Sequence, residues 1–112
     1  MAHIVVLGAG LSGTIMAYEM KDQLRPGDTI TVVSKEAKYH FVPSNPWVAV
    51  GWRKQDDIEV DLAPVFAKKG ISFKVQPATA LDPAANTLTL GDGSTVTYDY
   101  LINCTGPELA FD

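Results

Sequence analysis

One cysteine, Cys104, stands in 112 residues, so the chain cannot close a disulfide within itself, and it fits a reducing compartment. Basic residues are scarce: 9 Lys and Arg against 13 Asp and Glu leave a net charge of -4. They are scattered, build no cationic face for a phosphate backbone, and so argue against a nucleic-acid partner. Long apolar runs are missing as well. The longest, residues 4–7 and 47–50, fall far short of the roughly 20 residues a membrane span requires. No basic segment precedes a suitable apolar one at the N-terminus, so neither a signal peptide nor a transmembrane segment is expected. The two histidines, His3 and His40, have no second ligand at metal spacing, and no metal site is expected.

What is present describes a folded protein. A hydrophobic fraction of 46% with 20% charged residues is ordinary globular composition, and the length suits one domain, taken as residues 1–112. Residues 3–7 form a short β-branched apolar run bounded by glycine, the pattern of a fully buried parallel strand. Residues 11–24 read as a helix with Leu11, Ile15, Tyr18, Met20 and Leu24 at helical spacing, stopped by Arg25-Pro26-Gly27. A strand over 29–33 follows. Residues 34–57 have no clean period, hold Pro43 and Pro46 and both tryptophans, and read as a long ordered loop or a broken helix. Asp61 is positioned as the N-cap of a helix through Lys69 that Gly70 ends, and residues 71–75 form a third strand. Beyond Ala78 the pattern turns to alternation, with hairpin arms over 87–90 and 95–98 around Gly91-Asp92-Gly93, and a last strand over 100–104. The order predicts an α/β fold: a Rossmann-like, mainly parallel sheet with helices and a β-hairpin excursion.

Gly8-Ala9-Gly10-Leu11-Ser12-Gly13 fits the G-x-G-x-x-G pattern between a strand and a helix, as dinucleotide binding requires. Gly8 allows the tight turn, Gly10 lets backbone approach a pyrophosphate, and Gly13 lets the helix pack on the strand. The helix N-terminus supplies amide donors and a favourable dipole. The acidic residue expected at the end of the second strand is absent. Ser34 stands there, followed by Lys35 and Glu36: Ser34 can bond a ribose hydroxyl, Glu36 can reach it from the loop, and Lys35 can equally meet a 2'-phosphate, so FAD and NADP both stay open at this position. Asn103-Cys104-Thr105-Gly106 ends a strand on a Thr-Gly pair where backbone can lie against a ligand. Cys104 itself reads as a small core hydrophobe. The aromatics and prolines of residues 39–52 can wall a flat cofactor or fill a corner of the core.

Together with Gly8 to Gly13 and residues 98–106, the stretch Phe41-Val42-Pro43-Ser44-Asn45-Pro46-Trp47 closely resembles the N-terminal part of the sulfide:quinone oxidoreductases, flavoproteins with two dinucleotide-binding domains. The resemblance runs over essentially the whole chain. It implies FAD as cofactor, with its pyrophosphate at Gly8, Gly10, Gly13 and the neighbouring backbone of Ala9, Leu11 and Ser12. Ser34 and Lys35 then lie at the adenosine ribose and Ala78 at the adenine through its backbone. Pro43 and Asn45 fall near the isoalloxazine, and Thr105 and Gly106 near the ribityl chain or pyrophosphate.

The implied reaction is oxidation of sulfide by a pair of redox cysteines, with electrons passing through flavin to a quinone. Those cysteines match no residue here, so no catalytic residue is assigned. Departures from the family pattern are Cys104, where alanine is common, and Ser34 in place of the acid. Relatives continue into a second nucleotide domain and a C-terminal membrane-associating part, so the chain is read as a fragment, cytoplasmic or peripheral on the inner membrane and inactive by itself. Its last strand would then have an unpaired edge, and self-association is expected. A type II NADH dehydrogenase, a flavocytochrome-linked sulfide dehydrogenase and a non-catalytic nucleotide-binding module are the alternative readings.

Overall fold

The computed structural model describes residues 1–107; residues 108–112 of the expected domain lie outside the described residues. Strand β1 (His3–Leu7) leads through the glycine turn into helix α1 (Leu11–Gln23), and β2 (Thr29–Ser34) returns beside β1. Then come β3 (Lys38–His40), helix α2 (Asn45–Ala49), β4 (Glu59–Asp61), helix α3 (Leu62–Lys69) and β5 (Ser72–Val75). The chain continues through β6 (Ala78–Asp82), β7 (Thr87–Leu90), β8 (Thr95–Thr97) and β9 (Tyr100–Asn103). A four-stranded sheet in the order β5-β2-β1-β9 is parallel throughout. β6, β7 and β8 make an antiparallel three-stranded sheet, and β3 pairs with β4. This is the α/β architecture the element order predicts.

The central strands are apolar on both sides because each face is covered. Alternation in β1 sends Ile4 and Val6 toward Ala17 of α1 and Leu62 and Phe66 of α3, and Val5 toward Leu88, Leu90 and Val96 of the antiparallel sheet. β2 divides likewise, Ile30 and Val32 to the helices and Val33 to the other side. Phe66 anchors the helix side, its ring 5.1 Å from that of Phe73 and 6.1 Å from that of Tyr18. Helix α3 ends at Gly70, whose φ of 78° is left-handed, a C-terminal geometry that glycine adopts without a Cβ penalty. Asp61 precedes α3 as expected, but its side chain makes no capping hydrogen bond.

Three expectations are revised. Residues 34–57 hold a short strand, two single-turn 3-10 segments and helix α2 rather than one loop or one broken helix. The excursion has a third strand, β6, every residue of which is exposed, so no apolar alternation marks it in the sequence. The helical stripe on α1 faces two ways: Gly13 and Ala17 are buried, while Leu11 and Ile15 are 58% and 52% exposed.

Candidate functional site

In the order β5-β2-β1-β9, the strands run outward from β1 in chain order on one side, and the last strand of the described residues closes the other. The crevice beyond the carboxyl ends of β1 and β9 is therefore a topological switch point, where open α/β sheets bind ligands. A cleft of about 1260 Å³ opens there, larger than the roughly 300–1,000 Å³ typical of drug-sized ligands and suited to an extended one.

The glycine turn forms its floor. Gly8 N–H donates to Val33 carbonyl at 2.7 Å and Thr14 N–H to Gly10 carbonyl at 3.0 Å, which fixes the start of α1 against β2. No side chain caps α1 and no acidic residue stands in its first turn, so the free amides and positive end of the dipole are left to an outside acceptor. Gly10 and Gly13 do different work. A Cβ at Gly10 would meet no protein atom within 4 Å, whereas one at Gly13 would collide with the backbone carbonyl of Gly8. Gly10 thus keeps space open to the cleft, and Gly13 brings helix and turn into contact.

Of the residues singled out in the sequence, Gly8, Ala9, Gly10, Leu11, Ser12, Ser34, Lys35, Ala78, Thr105 and Gly106 line this one cleft. Gly13, Pro43 and Asn45 do not. Gly13 is buried beneath the turn, and on the 42–44 turn it is Val42 that reaches the cleft. Ser34 is buried, and its Oγ accepts the Glu36 N–H at 3.2 Å. That turn brings the Glu36 side chain to the lining beside Lys35. On the far wall, Cys104 N–H donates to Leu7 carbonyl at 2.7 Å. Cys104 is half-buried, packed against the helix-side core and also at the cleft surface, so it is less enclosed than a core residue.

Sequence reasoning gave no cleft role to Lys38, Ile15 and Gln76, and none of its own to His40 beyond its place in the 39–52 stretch; all four also line the cleft. For Ile15 the signal was the excess of apolar positions around α1. For His40 it is visible only once β3 and β4 pair and set it opposite Glu59. His40 Nδ1 lies 3.4 Å from Glu59 Oε1, and Nε2 is in short contact with Asn45 Oδ1. The Asn45 carboxamide and then Glu59 hold the His40 pKa above the ordinary value. Hydrogen bonds from Gln55 and then His40 hold Glu59 below its own. Among the described residues no cluster of His, Cys, Asp and Glu could hold a metal ion, and no helix is long and apolar enough to cross a membrane.

Comparison with known proteins gives a consistent likeness. Residues 2–110 match the family described as pyridine nucleotide-disulphide oxidoreductase. The chain is 43% identical over 109 residues to a sulfide-quinone reductase of Aquifex aeolicus, covering 97% of this chain and 25% of the relative. It is 29% identical to a mitochondrial sulfide:quinone oxidoreductase of Dictyostelium discoideum over 97% of the chain and 24% of the relative. The crystal structure of the Aquifex aeolicus sulfide:quinone oxidoreductase superposes with a TM-score of 0.94 at 41% identity, over 99% of this chain and 26% of that one. The chain thus spans about a quarter of the length of these relatives.

Proposed function

Because the chain belongs to the pyridine nucleotide-disulphide oxidoreductase family, we propose that residues 1–112 are the FAD-binding N-terminal part of a flavoprotein of sulfide:quinone oxidoreductase type. The 43% identity to a sulfide-quinone reductase favours that branch over a type II NADH dehydrogenase, a flavocytochrome-linked sulfide dehydrogenase or a non-catalytic module.

The observation that carries the cofactor reading is Gly10, beside which no protein atom fills the space a side chain would take, at an uncapped helix N-terminus. A diphosphate fits that donor set: the amides at Leu11 and Ser12 would bind its oxygens, with the helix dipole supporting its charge. Ser34, with Glu36 and Lys35 beside it, would hold the adenosine ribose, and the Ala78 backbone would flank the adenine. Thr105 and Gly106 would border the ribityl end, and Pro43 and Asn45 would approach the isoalloxazine from the 42–49 segment. When bound, FAD would supply two-electron chemistry between sulfide and quinone. This chain's residues would bind and orient it; the redox thiols of that reaction match no residue here.

That reading carries with it a cytoplasmic place, or a peripheral one on the inner membrane with the membrane contact in a C-terminal part. It also carries self-association of the isolated chain. The test is titration of FAD into the purified 112-residue chain, followed by flavin fluorescence, with a sulfide-dependent quinone reduction assay beside it. Weak FAD binding without turnover is expected, since half of the flavin's surroundings would be missing. Preference for NADPH over FAD, or turnover by this chain alone, would contradict the proposal.

A further inference from the structure

His40 is the imidazole that lines the cleft, and both of its ring nitrogens face oxygen atoms, Glu59 Oε1 and Asn45 Oδ1. A neutral ring has one N–H and would aim a lone pair at one of those oxygens; the imidazolium donates to both. Only a reversal of the Asn45 carboxamide would suit the neutral ring, so protonation and that orientation are linked.

The surrounding charges leave the cation partly unspent. Glu59 also accepts from Gln55 Nε2 at 2.8 Å and has Lys38 Nζ 3.8 Å from its other oxygen. Lys38, His40 and Glu59 therefore hold a net positive charge with the ring protonated and none with it neutral. Lys35 and Glu36 offset each other, and Glu19 of α1 is the remaining charge on the cleft, so protonation of His40 takes the cleft from net negative to neutral.

We propose that His40 is an electrostatic binding residue for the diphosphate of a dinucleotide in this cleft, its imidazolium complementing the helix N-terminus; this rests on the dinucleotide reading above. Asn45 and Glu59 raise the His40 pKa from 6.5. The positive charge is present below that raised value and lost as pH rises through it.

ADP-ribose tests this, because neither phosphate has a further ionisation near neutrality. It is titrated into the 112-residue chain by calorimetry at about pH 5.5 and about pH 8.5, with adenosine as the uncharged probe of the same cleft. ADP-ribose is expected to bind about three- to tenfold more weakly at the higher pH, a gap that narrows with salt, while adenosine binds equally at both. His40→Gln should bind ADP-ribose at both pH values as the unaltered chain does at the higher one. His40→Lys should bind it tightly at both, and circular dichroism checks that each variant is folded. A pH dependence that persists in His40→Gln, or none in the unaltered chain, overturns the assignment. Absence of binding by both probes overturns the dinucleotide reading and this assignment with it.

Discussion

A methyl group at Gly13 and an isopropyl group at Gly10 should fail in different assays. Gly13→Ala drives a Cβ into the Gly8 carbonyl, a backbone atom held in place by the turn, and should destabilise the fold by about 3 kcal/mol or more. Gly10→Val meets open space, so the urea midpoint should stay near that of the unaltered chain while nucleotide affinity is lost. Urea denaturation of both variants, paired with FAD titration, checks this; a retained fluorescence response in Gly10→Val would contradict it. At this scale the sequence was informative where chemistry needs a missing side chain, because G-x-G-x-x-G states a backbone requirement directly. It was silent at His40, whose partners Asn45 and Glu59 are 5 and 19 residues away. No local spacing encodes that meeting.

Elements that bury an apolar pattern were legible, and those that do not were not. β1 and β2 are short β-branched runs because both their faces are covered, and α3 announces itself through a Gly stop. β6 buries nothing, and the 34–57 segment is shaped by Pro43, Pro46 and the buried Ser44 rather than by a period. Leu11 and Ile15 of α1 sit at helical spacing with the other apolar positions but are exposed, because apolarity does not say which surface it faces. Where packing decides, the effect is large. Phe66 is fully buried between Tyr18 and Phe73, so Phe66→Ala should cost about 3–5 kcal/mol, read as a shift in urea midpoint.

The turn between α1 and β2 gives a pH prediction. Asp28 accepts the Ala2 N–H at 2.8 Å and the Arg25 N–H at 3.1 Å, and these two bonds, in that order, hold its pKa below 3.8. A depressed folded value means the stabilisation is present above 3.8 and lost as pH falls through the lower folded value. Asp28→Asn should therefore be less stable near neutrality and lose less on acidification. Parallel denaturation curves for the two proteins across the acid range would contradict it.

Across the whole molecule, extents of 48 × 38 × 20 Å describe a slab, with helices on one face of the parallel sheet and the antiparallel sheet on the other. β9 stands at the edge of the parallel sheet, pairing with β1 on one side. Its Tyr100 is 65% exposed, and Leu101 and Ile102 are half-covered. Backbone groups along such an edge pair readily with another strand. The purified chain should therefore show a mass by light scattering that rises with concentration. A constant monomer mass into the high micromolar range would contradict this.

The pairing of β9 with β1 also dictates an order of events during synthesis. β1 leaves the ribosome before its sheet neighbours β2 and β9, and β2 can reach it once α1 has formed. Its other flank must wait until Ile4 can meet Tyr100, and the clasp of His3 N–H on the Asp99 carboxylate spans 96 residues. Contacts so distant in the chain form late and slow a domain's folding. Until then Val6 and Leu7 border a bare flank on the nascent chain, a period of vulnerability to chaperone capture or misassembly set by translation speed rather than by the strength of any contact in the finished fold.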